Sequence, residues 1–384
     1  VEESKSQHRL KYRGFLRGKS SLPLNGRNRH QSRIAAVVKT YAIGAQYYAS
    51  LIFNLSRFFI GHGGWVTSLT VGEEEVNGQR EEFLLSGSRD KTLIKWNLDP
   101  KRDEDEDKEW GLPRKLMTGH SHFISEVKLT GDSRFAFSAS WDGTVRLWNV
   151  ATGRTISKLI GHKRDVLSVA LSADDRQIIT GGLDKNIKIW NTRSECKFTV
   201  DKDNHKDAVS VVRFYHARKP ALCVTASWDK TIKVWDNLYM TLLHTFTGHK
   251  AQVTTLDIVE NSAFLASGSR DGRIMVWDIV QGKWFTQHDC DSPVNCVLFS
   301  QRLYWLVIAT QTGIKVLNLP EQKFIQDDIT ATSMKQNEAG SKKLLSCTSL
   351  AWSKSGTHLY SGWSDNHIRV YEIDSTDGAT RDDQ

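Results

Sequence analysis

Apolar and polar residues alternate in short runs along most of the chain, and the clearest run brackets a tight turn in residues 138–149, SASWDGTVRLWN. Phe135, Phe137 and Ala139 alternate with other residues before the turn, and Val145 and Leu147 alternate with Thr144 and Arg146 after it. Such a period of two puts one face of each strand in a core, so the pattern predicts an antiparallel pair. Asp142-Gly143 makes the hairpin, because glycine accepts positive φ without steric cost. Trp148 closes the second strand.

The same stretch recurs as SGSRDKTLIKWN from Ser86, TGGLDKNIKIWN from Thr180, TASWDKTIKVWD from Thr225 and SGSRDGRIMVWD from Ser267. A weaker copy, SGWSDNHIRVYE, begins at Ser361. A degenerate one, VIATQTGIKVLN, puts Gln311 in the Asp slot, Leu317 in the Trp slot, and Cys290 and Val307 in the His and hydroxyl slots. Gly61-His62, Gly119-His120, Gly161-His162 and Gly248-His249 precede four copies, and Asn204-His205 precedes another. The copies lie mostly 40 to 54 residues apart. A repeat of about 40–45 residues with Gly-His and a closing Trp-Asp-like pair is the signature of a WD-repeat β-propeller. The expected fold is all-β, seven-bladed and closed, over residues 51–374.

Residues 51–60, LIFNLSRFFI, lie where the outermost strand of a preceding blade would be. With no such blade, they are expected to pair with the strands of residues 347–373 and remove an open sheet edge. Residues 320–345 form a long polar connection that should project from the ring, and residues 375–384 form a polar tail. A charged run, DEDED at 103–107, sits in the exit loop of blade one.

Charge changes the picture at one end. Residues 1–50 carry ten basic and two acidic side chains, which leaves 42 of each sign in the rest of the chain. The basic excess therefore belongs to an extension without periodicity, read as disordered. An RNA-binding tail and a solvated extension both fit it, as does the Arg-rich, acid-poor make-up of a transit peptide. Any anionic partner of the propeller must meet a local patch. Five cysteines without CxxC spacing suit reduced thiols rather than a zinc site. The chain has no run of 18 apolar residues, so no membrane-spanning helix is expected. Nor does it contain a phosphate-binding glycine loop or HExxH, and no cofactor, metal or small-molecule substrate is expected.

Each good copy holds a His, a hydroxyl, an Asp and a Trp at fixed offsets. These are His62, Ser86, Asp90 and Trp96, then His120, Ser138, Asp142 and Trp148, then His162, Thr180, Asp184 and Trp190. The set resembles a hydrolytic triad, but a catalytic site is normally singular and this one recurs five times. A buried chain of hydrogen bonds tying each turn to the inner strands accounts for it. The residue before each Asp should stand at the rim of one face: Arg89, Trp141, Leu183, Trp228, Arg270, Thr310 and Ser364. Trp141, Trp228 and Arg270 are of the types enriched in interaction hot spots, so they are candidate protein-binding residues. Arg89, Lys91, Arg114, Lys115, Lys163 and Arg164 cluster around the first blades as candidate RNA-binding cations.

Several stretches go beyond a generic WD repeat: GHGGWVTSL, SGSRDKTLIKW, GHSHFISEV, GHKRDVLSVALS, RLYWLVIATQTGIKVLNL and CTSLAWSKSGTHLYSGWSDNHIRVYEI. From about residue 55 to 373 the chain closely resembles the family of the receptor for activated C kinase, the Gβ-like scaffold of the eukaryotic small ribosomal subunit. Residues 1–50 have no counterpart in that family. The resemblance implies a non-catalytic cytoplasmic scaffold at the head of the small subunit, bound to ribosomal RNA and ribosomal proteins. It implies RNA contacts at Arg89-Asp90-Lys91 and at Arg114 and Lys115, with signalling kinases and translation factors docked elsewhere. Thr118 stands where a further basic residue is common in that family, so the resemblance does not extend to an RNA contact there. A β subunit of a heterotrimeric G protein is the alternative, against which residues 1–50 show no heptads. A ubiquitin-ligase receptor is disfavoured because Trp235-Asp236 is followed by Asn237-Leu238 and Trp277-Asp278 by Ile279-Val280, without Trp-Asp-x-Arg.

Overall fold

All regular elements among the described residues are strands, 28 of them in seven four-stranded antiparallel sheets. A computed structural model describes residues 52–76, 78–98, 111–217, 221–259, 262–302, 304–326 and 345–374. The basic extension, the 103–107 run, most of the 320–345 connection and the 375–384 tail lie outside them.

One strand, β1 (Ile52–Phe59), precedes the first complete blade. Blade one is β2 (Val66–Val76), β3 (Gln79–Ser88), β4 (Leu93–Asn97) and β5 (Pro113–Met117). Blade two is β6 (Ile124–Leu129), β7 (Phe135–Ser140), β8 (Thr144–Asn149) and β9 (Thr155–Ile160). Blade three is β10 (Val166–Leu171), β11 (Gln177–Gly182), β12 (Ile187–Asn191) and β13 (Cys196–Thr199). Blade four is β14 (Val209–Tyr215), β15 (Leu222–Ser227), β16 (Thr231–Asp236) and β17 (Thr241–Thr247). Blade five is β18 (Val253–Ile258), β19 (Phe264–Ser269), β20 (Arg273–Asp278) and β21 (Lys283–Asp289). Blade six is β22 (Val294–Phe299), β23 (Trp305–Thr310), β24 (Ile314–Asn318) and β25 (Lys323–Gln326). Blade seven is β26 (Cys347–Trp352), β27 (His358–Trp363) and β28 (Ile368–Asp374), and β1 completes it by pairing with β28 from Ile52↔Asp374 to Phe59↔Ile368.

Hydrophobic faces on both sides of each blade require burial against both neighbours. The core is accordingly seven clusters, each shared by two adjacent blades. Phe83, Leu85 and Met117 of blade one pack on Ile124, Val127 and Trp148 of blade two. The closing cluster joins Tyr360, Ile368 and Val370 of blade seven to Val66, Leu84 and Trp96, with Phe59 of β1 stacked on Trp96 at 5.4 Å. The strand expected to close the ring does so.

The first strand of each blade lines the centre and begins with a bulge, as at Val66/Ser68 and Val253/Thr255. The bulged residue latches to the next blade. Thr67 donates to the Ile124 carbonyl (2.6 Å), Ser125 to Val166 (2.7 Å), Ser210 to Val253 (2.7 Å) and Thr254 to Val294 (2.5 Å). The Asn295 amide donates to Cys347 (2.7 Å), and Thr348 donates to Val66 across the closure. Only blade three has an apolar residue, Leu167, in this slot. The latches escape a sequence reading centred on the Asp turn, although a small polar residue after the first buried strand residue marks them.

The degenerate blade six differs from expectation. Its β23–β24 turn is one residue shorter, closed by Thr310 N donating to the Gly313 carbonyl, whereas Ser88 N reaches to Thr92 in blade one. Gln311 N donates to Pro293 as Arg89 N does to Trp65, so Gln311 occupies the rim slot and no residue holds the Asp slot. Val297 faces Ile308 as Leu69 faces Ser86, so Ile308, not Val307, takes the hydroxyl position. Cys290, Ile308 and Leu317 are buried together in one apolar cluster. The blade replaces the polar set by packing.

Candidate functional site

One face of the ring is built by the loops before the first strands and by the β-turns between second and third strands, and the recurrent polar sets join the two. In blade two, Trp148 Nε1–H donates to Ser138 Oγ (2.7 Å), Ser138 Oγ meets His120 Nε2 (2.7 Å), and His120 Nδ1 meets an Asp142 carboxylate oxygen (2.7 Å). A proton on Nδ1 satisfies every group, with the hydroxyl donating to Nε2. Thr144 clamps the other carboxylate oxygen through its hydroxyl (2.7 Å) and amide (3.0 Å). The sets His62, Ser86, Asp90, Trp96 and His162, Thr180, Asp184, Trp190 repeat this geometry, with His–Asp contacts of 2.7 and 3.0 Å. Blade four does so through His205, Thr225, Asp229 and Trp235. Each hydroxyl is fully buried and already engaged by an indole and an imidazole, so none is a nucleophile awaiting a substrate.

Burial opposes ionisation of these aspartates, but hydrogen bonds from the histidine and the clamping threonine outweigh it. Asp90 falls to about 2, and Asp142 and Asp229 fall further. Asp184 also falls to about 2, held by His162 and the amides of Lys163 and Asn186. Burial depresses His205 and His249, so those pairs are a carboxylate and a neutral imidazole at neutral pH.

Blades five and seven depart from the pattern. Arg273 replaces the clamping threonine, Asp271 lies 3.6 Å from His249 Nδ1, and that nitrogen is buried without a partner. In blade seven, Arg369 grips Asp365 at 2.6 Å, and Trp363 donates to Ser361 from the same strand.

The turn itself needs a left-handed residue after the Asp. Gly143 supplies it at φ 79°, and Lys91, Lys185 and Lys230 adopt φ 69–73° in the same place. Gly64 lets the preceding loop lie against this turn in blade one, since a Cβ there would come within 2.8 Å of Asp90 N.

The structure divides the six candidate cations. Lys91, Lys163 and Arg164 are exposed on the loop face and form no ion pair with a described residue. Arg89, on the same turn as Lys91, is half-buried at the mouth of the central channel, its guanidinium 3.9 Å from the Trp65 ring centre and 5.5 Å from that of Phe123. Burial lowers its pKa, and it too has no ion pair with a described residue. Arg114 and Lys115 lie on the outer strand β5. Arg114 is drawn to Glu74 of the long β2–β3 hairpin on the opposite face (3.0 Å), and the stem of Lys115 packs over Gly153 of blade two.

The candidate protein-binding residues are divided too. Trp141 and Arg270 line a cavity of about 540 Å³ at the channel mouth, together with Arg89, Trp65, Phe123 and Gln311. Trp228 is partly buried and does not line it. The missed member is Gln311, hidden by the shortened turn.

Deeper in the channel lies a charged cluster that sequence reasoning did not find. Arg213 of β14 reaches Glu126 of β6 at 2.8 Å, which blades two and four can do only through the centre. Glu126 also takes the Ser168 hydroxyl and the Val169 amide of blade three. Lys128 stands 3.6 Å from Glu126. Asp257 accepts from the Phe299 amide at 2.7 Å, and burial raises its pKa. All five cysteines are free thiols, and burial lifts Cys296 to about 11 and Cys223 and Cys347 higher still. Among the described residues, no three His, Cys, Asp or Glu side chains are grouped to hold a metal ion.

Two comparisons with known proteins bear on this face. The WD domain, G-beta repeat family matches residues 53–97, 111–149, 153–191, 194–236, 240–278 and 340–372, passing over the apolar blade six. The chain is 42% identical over 323 residues to the small ribosomal subunit protein RACK1 of Drosophila melanogaster, covering 83% of this chain and 97% of that protein. It is 42% identical over 315 residues to the cross-pathway control WD-repeat protein 2 of Flammulina velutipes, covering 82% of this chain and 96% of that protein.

Proposed function

Because the chain belongs to the WD-repeat family that includes the small ribosomal subunit protein RACK1, we propose that it is a non-catalytic scaffold of the small ribosomal subunit. In this reading it sits at the head of the subunit in the cytoplasm, against ribosomal RNA and ribosomal proteins, and docks signalling kinases and translation factors on its remaining surface. The loop face of blades one to three meets ribosomal RNA through Arg89, Lys91, Lys163 and Arg164. Arg114 and Lys115 extend the contact along the outer strand, Arg114 less so because Glu74 competes for it. Trp141, Trp228 and Arg270 belong to partner docking.

The observation that carries this reading is a set of cations on one face without internal anions. Lys91, Lys163 and Arg164 have no acidic partner among the described residues, so their full charge is available to phosphates. Arg89 is held over the Trp65 ring, 3.9 Å from its centre, with no carboxylate partner among the described residues, so its N–H donors are open to an oxyanion.

The test is co-sedimentation of the full chain with purified small subunits across a salt series. Arg89→Asp with Lys91→Glu should lower the salt slope by roughly 1.4–1.8, since each phosphate contact contributes about 0.7–0.9. Neither residue belongs to a buried polar set, so the thermal melt should stay the same. Wild-type co-sedimentation by the double reversal with an unchanged melt would remove the proposed RNA contact.

A further inference from the structure

We propose that the channel mouth is a receptor site for a phosphorylated side chain of a peptide, inserted between Arg89 and Arg270. The inference rests on the scaffold reading and narrows its partners by their chemistry. The cavity, about 540 Å³, falls within the usual range for a ligand site. No aspartate or glutamate lines it, whereas two arginines from opposite sides of the ring do.

Arg89 is half-buried and desolvated, yet no carboxylate of a described residue neutralises it. Partly withdrawn from water and unpaired, it is open to an anion: a phosphate of ribosomal RNA where the chain sits on the subunit, the peptide phosphate where the chain is free. Its place over the Trp65 ring, 3.9 Å from the ring centre, with Phe123 at 5.5 Å, holds the guanidinium at the mouth in advance, where it can capture a phosphate. Arg270 is exposed at the rim in the corresponding slot of blade five and has no described ion-pair partner.

The walls favour a peptide over a nucleic acid strand. Trp141 is stacked on His122 (5.8 Å, 14° between planes) and lies 5.6 Å from Phe123, forming a rigid aromatic surface. The hydroxyls of Thr67, Ser125 and Thr348 are consumed by the inter-blade latches, so they shape the wall and leave recognition to the arginines and the exposed Gln311 amide. A polynucleotide presents a row of phosphates and calls for a row of cations. This pocket offers two cations, aromatic surface and an amide suited to a peptide backbone, which matches one dianionic side chain with its flanking residues.

The experiment uses the full chain and peptides with a fixed central phosphoserine and randomised flanks, compared with the same peptides carrying serine. Binding should require the phosphate. Arg270→Ala should weaken it by about tenfold or more, the loss of one charge-assisted contact. Arg270→Lys should retain part of the affinity, and both variants should melt like wild type. Arg270 lies on blade five, outside the proposed RNA surface, so Arg270→Ala should co-sediment with small subunits normally. Lys163→Glu should do the reverse, sparing the peptide and weakening the subunit. Equal binding of serine and phosphoserine peptides, no binding of either, or an Arg270→Ala variant with full affinity would each overturn the proposal. So would displacement of the peptide by single-stranded RNA whose own affinity falls in Arg270→Ala, which would make the pocket a nucleic-acid site.

Discussion

At the scale of single residues, the repeated polar set is a chain of buried donors and acceptors whose members depend on one another. Removing the Asp from a tight set strands an imidazole N–H and two backbone amides. Asp142 holds His120 at 2.7 Å, Ser121 N at 3.1 Å and Thr144. Asp271 stands 3.6 Å from His249, which already lacks a partner at that nitrogen. Asp142→Ala should therefore cost about 2–4 kcal/mol and Asp271→Ala clearly less, on the scale of about 1–3 kcal/mol for each buried polar group left unpaired. Urea unfolding of the two variants checks this, and equal losses would show that the His–Asp contact is not what matters. The residue types of these sets were legible in the sequence because they recur. The looseness in blade five was not, since it depends on Arg273 replacing a threonine whose clamping role appears only in the folded turn. Nor could the sequence show that Arg89 and Lys91, two residues apart, divide between the channel mouth and the open face.

At the scale of elements, each blade is joined to the next by an apolar cluster and, at six of the seven junctions, by a latch from the bulged residue. Leu167 leaves the junction of blades three and four without its latch. The Glu126–Arg213 pair crosses that junction, and Ser168 of blade three donates to the same carboxylate while receiving the Val212 amide at 3.0 Å. We read this cluster as the staple of the unlatched seam. Glu126→Gln should then destabilise the protein by about 2–4 kcal/mol, because it removes the carboxylate that Arg213 meets at 2.8 Å and Lys128 at 3.6 Å. Hydrogen exchange should rise first in β10 and β14; a uniform rise around the ring would contradict the staple. Blade six carries the opposite lesson. Its missing polar set suggests weakness in the sequence, yet Cys290, Ile308 and Leu317 fill the space with buried apolar groups. Replacing all partners by apolar groups of suitable shape can be nearly neutral. The seven repeats made the blades readable, but a one-residue deletion inside a degenerate repeat leaves no mark, so the slots of that blade shifted.

At the scale of the whole molecule, the ring closes without a covalent link through β1 on β28, and stability is shared by similar units. Acid should therefore weaken several blades together. His205 and His249 have folded pKa values depressed below 6.5, so their contribution is complete above that value and declines as pH falls beneath it. Asp90 and Asp184 fall from 3.8 to about 2, so their contribution is complete above 3.8 and disappears as pH falls through about 2. The melting temperature should decline in two stages, one beginning below pH 6.5 and a steeper one below pH 4. A melting temperature that stays level from pH 7 to 5 would show that neutral imidazoles are not what the fold requires.

The same shared architecture makes the loop face a single rigid surface, and the central claim is that its basic sector binds the small ribosomal subunit. The most direct measurement is electron cryomicroscopy of purified small subunits reconstituted with the full chain. The account predicts a seven-bladed ring on the head of the subunit, with the turn at residues 89–91 and the loop at 163–164 against ribosomal RNA. An unoccupied head, or a ring bound with this face turned to solvent, would contradict it.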